Sequence, residues 1–190
     1  MRSMRVALLV CLITFITTAA QPSTYILSRG KSSVCFEAIG RPSFLKIRGT
    51  SDKTLEGQIT SDGKKLSGQC SFDLESLTTG IDARDDHMKH KYLETRKFPK
   101  ATLSFTKFEI TNTHKCANVP FEGVLSLHGV DHGVKGEASV TFTEQALEID
   151  AQLELKTDDF KIEQPSFAGI TMASLVKVQV TLSAPLIAQR

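Results

Sequence analysis

From 66 to 74 the chain alternates: Leu, Gly, Cys, Phe and Leu take the even positions, and Ser, Gln, Ser and Asp the odd ones. The same period of two runs through 134–142, 147–155 and 176–184, where Lys, Glu, Asp, Gln, Thr and Ser fill the alternate places. Successive side chains of a strand point to opposite faces, so this period gives one dry face and one wet face. Less regular apolar runs at 25–28, 34–39, 44–50, 55–60, 102–110 and 121–128 predict further strands. Between Phe105 and Phe108 the apolar parity slips, which predicts a β-bulge that re-aims the strand. Short breaks with turn chemistry at Asp62-Gly63, between Gly129 and Gly133, and at Thr143-Glu144-Gln145 suit hairpins, so sequence neighbours are expected to pair antiparallel. Eight or more such strands bury their dry faces either by stacking as a sandwich or by closing into a barrel, and periodicity does not choose between them.

One stretch departs from this pattern. Between Ser76 and Phe105, Thr79, Gly80 and Asp82 precede a run rich in Lys, Glu, His and Met, and Pro99 closes it; this predicts the chain's one helical island. Its pattern reads Ser76-Leu77-x-Thr79-Gly80, then Arg84-Asp85-x-His87-Met88, Lys91-Tyr92-Leu93-Glu94 and Lys97-Phe98-Pro99. A second landmark is Gly123-x-Leu125-x-Leu127-His128-Gly129-Val130, followed by Val134. Together they resemble the YceI-like family of secreted, lipocalin-like lipid-binding proteins, from about Tyr25 to Ala184. The resemblance implies an all-β fold, an antiparallel up-and-down lipocalin-like barrel of about eight strands, with the short helix packed beside one opening. It also implies a non-enzymatic protein that carries or sequesters an amphiphilic lipid, isoprenoid or fatty-acid-like. The chain departs from the family pattern at Tyr25, where a tryptophan is usual, at Lys31-Ser32-Ser33, which lacks the expected histidine, and at Asp131-His132-Gly133. Those positions bear on the head group more than on the fold.

An eight-stranded barrel has room for its own side chains or for one small ligand. The expected inward faces mix bulky Phe36, Phe72, Phe105 and Phe121 with small Gly57, Gly68, Gly123, Gly136, Ala138 and Ala151. A cavity lined by Phe36, Phe72, Phe105, Phe121, Gly123, Leu125, Val140, Leu153 and Val178 is one reading; glycines that ease barrel curvature are the other. A ten-carbon tail in such a cavity gains roughly 8 kcal/mol before association costs. For the polar end of the ligand the candidates are Arg84, Asp85 and His87. Arg84 carries a planar fork of donors suited to phosphate or carboxylate, although the same residues suit pinning the helix to the rim.

Compartment and charge narrow the function. Arg2 and Arg5 precede the apolar run 6–16, and Thr18 and Ala20 precede Gln21, the pattern of a signal peptide over 1–20. Eleven apolar residues fall short of the roughly 20 that span a bilayer. One domain over 21–190, periplasmic or secreted, is expected. The whole chain has 23 Lys and Arg against 21 Asp and Glu, and losing Arg2 and Arg5 leaves 21 against 21, which gives no global support to nucleic-acid binding. A basic cluster at Arg84, Lys89, Lys91, Arg96, Lys97 and Lys100 suits either a solvated helix or a rim for phosphate heads and transient membrane-surface contact. Cys35, Cys70 and Cys116 admit one disulfide and one free thiol with the pairing open, and Cys70 shares a dry face with Leu66, Phe72 and Leu74. No hydrolase, zinc-protease, Walker or dinucleotide motif occurs, so no catalytic residue or cofactor is assigned. Two alternatives stand beside the carrier. One is a structural or protein-interaction module with a filled barrel. The other is a metal site at His87, His90 and Glu94, spaced i, i+3 and i+7 on a helix, against which stands a plain polar face opposite Met88 and Tyr92.

Overall fold

The alternating segments fold as strands, and the computed structural model describes residues 22–41, 43–112, 114–167 and 169–187. The expected signal peptide lies outside the described residues. In chain order the strands are β1 (Ser23–Ile26), β2 (Lys31–Arg41), β3 (Lys46–Ser51), β4 (Glu56–Ser61), β5 (Lys65–Asp73), β6 (Lys100–Glu109), β7 (Lys115–Leu127), β8 (Val130–Phe142), β9 (Ala146–Lys156), β10 (Ser166–Phe167) and β11 (Ile170–Pro185). All pairings are antiparallel, in the order β1-β4-β5-β6-β7-β8-β9-β11-β2-β3, with β10 hairpinned onto β11.

This is the antiparallel, barrel-like sheet that the resemblance implies, curled into a half-barrel, with eleven described strands instead of about eight. The increase has local causes. β1 and β2 form one segment broken by a 3₁₀ turn at Leu27–Arg29, and β10 is a two-residue strand. β1 pairs with β4 while β2 pairs with β11, and Tyr25 also bridges Leu186, so this broken segment draws the two ends of the sheet together. Gly30 sits at the crossing, where an added Cβ would lie 1.8 Å from the Ser183 carbonyl oxygen; only glycine lets the backbones approach so closely. Along the other edge, Thr50 of β3 bridges Thr78, just ahead of the helical segment.

The expected bulge is present. Phe105 lies opposite Gly68 and Phe108 opposite Leu66, with the register shifting between them, so both rings turn inward although their spacing is odd.

Those rings fill one end of the half-barrel. Phe108 lies 6.0 Å from Phe105 and 5.7 Å from Phe121 between ring centroids, and Ile59, Leu66, Val140 and Leu147 pack around them fully buried. The opposite end carries the 74–99 connection and the 157–169 connection. The helical island is shorter than the sequence suggests: one α-helical turn, α1 (Asp82–Asp86), runs into a π-helical turn over His87–Tyr92. Glu94 then takes a left-handed φ of 45°, which ends the helix before Glu94 can join the face of His87 and His90.

Candidate functional site

At the helical end the inward side chains stop short of filling the sheet and leave a cavity of about 250 Å³. Six strands line it with aliphatic residues: Val34 on β2, Ile47 on β3, Leu103 on β6, Leu125 on β7, Leu153 on β9 and Val178 on β11. Phe36 and Phe72 add ring faces. Met88 and Tyr92 from the π-helical turn, with Ile162, Ile170 and Met172 from the segment around β10, form the lid. The two parts of the lid are joined by one side chain: the Tyr92 hydroxyl donates to the Ser166 carbonyl at 2.9 Å and accepts from the Ser166 N–H at 3.0 Å.

Five of the nine expected wall residues, Phe36, Phe72, Leu125, Leu153 and Val178, line this cavity, and Arg84 and His87 reach it from the lid. The other four do not. Phe105, Phe121 and Val140 sit one layer deeper, buried in the filled end, because the small residues near them admit rings instead of ligand. At Gly136 an added Cβ would fall 2.6 Å from Phe121 Cζ. Gly123 faces inward, but its Cβ would meet the Ser104 carbonyl oxygen at 2.7 Å and Leu103 Cδ1 at 3.0 Å; the space over it is already taken. At Gly68 an added Cβ would lie 2.3 Å from the Gln58 carbonyl oxygen.

Asp85, read from the sequence either as a polar-end residue or as a pin for the helix, stands outside the cavity lining. It is buried beneath the lid and accepts hydrogen bonds from the Thr78 hydroxyl at 2.6 Å, from the Thr79 N–H at 2.8 Å and from the Thr79 hydroxyl. Burial pushes its carboxyl pKa up, but the bonds from Thr78 and Thr79 outweigh that and hold it below the usual value. Its work is to fasten the start of α1, which has no side-chain N-cap. Arg84 shares that fastening: Nε donates to Thr79 Oγ1 at 2.8 Å and Nη2 to the Thr79 carbonyl at 2.9 Å. Among the described residues no carboxylate pairs with Arg84, and no Asp or Glu stands in the cavity wall.

The three metal candidates are kept apart. His90 Nδ1 bonds Asp86 Oδ1 at 2.8 Å, while Glu94 pairs with Lys97 and with His128 Nε2 at 2.9 Å. Among the described residues no group of three His, Cys, Asp or Glu is placed to hold a metal ion. Much of the basic cluster is also engaged: Lys97 with Glu94, Lys100 with Glu56, and Lys91 over the Tyr92 ring at 5.1 Å. Cys35, Cys70 and Cys116 are all free thiols, so the single disulfide that three cysteines admit is not formed among the described residues. Cys70 lies in the cavity wall, where burial pushes its thiol pKa up to about 11.

Sequence reasoning missed the contribution of 157–172, which has no period to read. Met88 and Tyr92 were legible as the dry side of the helix, four residues apart.

A family model described as YceI-like domain matches residues 25–184. A polyisoprenoid binding domain from Saccharophagus degradans superposes with a TM-score of 0.64 at 21% identity, covering 87% of this chain and 98% of that one. Burkholderia cenocepacia BcnA superposes with a TM-score of 0.65 at 18% identity, covering 84% and 99%. A Campylobacter jejuni YCEI protein gives 0.55 at 18% identity, covering 72% and 83%. At these identities the likeness is one of fold. A comparison with curated proteins found no match.

Proposed function

The chain belongs to the YceI-like family, and on that footing we propose that it is a non-enzymatic lipid-binding protein whose half-barrel holds the tail of an amphiphile. The observation that carries this reading is the apolar cavity of about 250 Å³ under a lid that brings Arg84 and His87 to its edge. The tail supplies affinity, since each buried CH₂ contributes about 0.8 kcal/mol. Arg84, a cation in a wall without carboxylates, supplies orientation by meeting an anionic head, phosphate or carboxylate. The polyisoprenoid binding of the Saccharophagus degradans domain supports an isoprenoid or similar hydrocarbon as the ligand class. With residues 1–20 read as a cleaved signal peptide, the protein works in the periplasm or outside the cell, taking up or sequestering its ligand there.

Native mass spectrometry of the secreted protein tests this, with organic extraction of whatever is bound. A co-purifying amphiphile, removed by extraction and replaced by added lipid, is the expected result. A protein that arrives empty and takes up no amphiphile would leave the filled-module alternative.

A further inference from the structure

We infer that the outer face of the sheet at the lid end, tipped by Phe44, is a docking surface for an anionic lipid bilayer. Phe44 stands in the turn between β2 and β3 and is 80% exposed, the highest value among the exposed large hydrophobic residues described. Ile39 and Leu175 are exposed on the outer side of the same sheet, next to Ala38 and Val176, which pair with each other and turn inward. Their own partners across the ladders are cations: Ile39 stands opposite Lys46 on β3, and Leu175 opposite Lys156 on β9. The neighbouring strands β9, β11, β2 and β3 therefore present Lys, Leu, Ile and Lys in one band, with Arg41 further along β2 toward the tip. One step back from the tip the charges balance. Glu37 takes Arg48 at 2.7 Å and Lys46 at 3.5 Å, and Glu154 takes Lys177 at 3.4 Å. Arg41 and Lys156 have no carboxylate partner among the described residues, so the band nearest the tip keeps an excess of positive charge.

Apolar side chains framed by lysines and an arginine suit the headgroup layer of a membrane. Phe44, Ile39 and Leu175 enter beneath the head groups while the cations stay with the phosphates, their stems lying along the apolar surface. A second copy of the chain fits the patch less well, because two-fold pairing would bring Arg41, Lys46 and Lys156 of both copies together. The position of the patch gives it a use. Gly40, between Ile39 and Arg41, turns inward, and an added Cβ there would lie 3.1 Å from Ile170 Cγ2. Its partner on β11 is Met172, and Ile170 and Met172 both line the cavity. Docking thus sets the lid end of the cavity against the bilayer, where amphiphiles are held. It needs no ligand in the cavity, so it stands apart from the lipid-binding reading.

Flotation of the secreted protein with phosphatidylcholine vesicles, with and without phosphatidylglycerol, tests this. Binding is expected where phosphatidylglycerol is present, falling as salt rises, and only weakly without it. Phe44→Ala should lower the affinity by about tenfold or more, the loss of one buried aromatic side chain. Lys46→Ala and Lys156→Ala should each lower it by about fivefold. Lys65→Ala, at the packed end beside Glu109, should leave it unchanged. All four positions are exposed, so melting temperatures should stay close to wild type and the losses report the surface. Absence of binding to phosphatidylglycerol vesicles would overturn the docking surface. So would an equal loss in Lys65→Ala, the mark of diffuse charge, or a concentration-dependent dimer broken by Phe44→Ala, the mark of a second copy on the patch. Native mass spectrometry of the same proteins separates docking from ligand retention. An amphiphile retained by a protein that does not float with vesicles would overturn docking alone, and an empty protein that floats with them and takes up no amphiphile would overturn the lipid reading alone.

Discussion

Asp85 and Thr157 are two buried polar side chains with opposite consequences. Asp85 has a folded pKa below its unfolded value, near 3.8, because the bonds from Thr78 and Thr79 overcome the cost of burial. A depressed carboxylate stabilises the fold above its unfolded pKa, and that stability is lost as pH falls through the lower folded value. Thermal melts between pH 7 and pH 3 should therefore show the wild type losing stability below about pH 4. Asp85→Asn should start lower at pH 7, by about 1–3 kcal/mol, and fall less steeply in acid. Glu37 and Asp73, also held low by cationic partners, remain in both proteins, so the difference between the curves isolates Asp85. Equal curves would mean that Asp85 does not anchor the lid. Thr157 has a hydroxyl buried in the cavity wall with no hydrogen-bond partner. Such an orphan costs about 1–3 kcal/mol, so Thr157→Val should raise the urea midpoint with an unchanged slope; a lower midpoint would show that the hydroxyl has a partner after all.

At the scale of elements, the lid depends on Tyr92, whose hydroxyl ties the π-helical turn to β10 by two bonds. Replacing it with phenylalanine keeps the ring in the wall and removes both bonds, each worth about 0.5–1.5 kcal/mol. Proteolysis near 161–169 should quicken in Tyr92→Phe, and the bound tail should leave faster, with the β-sheet signal in circular dichroism unchanged. An unchanged exit rate would place the ligand's path elsewhere. The same elements show what the sequence could reveal. The strands were legible because a sheet with one dry face imposes a period of two, and the bulge was legible as a slip of that period at Phe105 and Phe108. The helix was read too long, since nothing in Met88-Lys89-His90-Lys91 announces a π turn or the left-handed Glu94 that ends it. The glycines were ambiguous for a different reason. Whether Gly136 leaves a hole or makes room for Phe121 depends on a residue 15 positions away, brought opposite it by the β7–β8 register. Local pattern does not carry that information, and so four of the residues expected in the wall lie outside the cavity lining.

The molecule as a whole divides into a packed end and a hollow end, and the two should respond separately to ligand and to mutation. A tail that binds only the native state adds about 2.7 kcal/mol at a free concentration of 100 times its dissociation constant. For a domain of this size that corresponds to a rise in melting temperature of about 5–10 °C when the delipidated protein is refilled with decanoate. Leu147 sits in the packed end, fully buried and away from the cavity wall. Leu147→Ala should cost about 2–5 kcal/mol through the void it leaves. Because sites without shared partners act additively within about half a kcal/mol, the increment from decanoate should survive that mutation almost unchanged. Differential scanning fluorimetry of both proteins, empty and filled, measures the four melting temperatures required. If the ligand increment shrank by more than half in Leu147→Ala, the aromatic layer would be transmitting strain between the ends, and the hollow end could not be treated as a site built on an independent, rigid base.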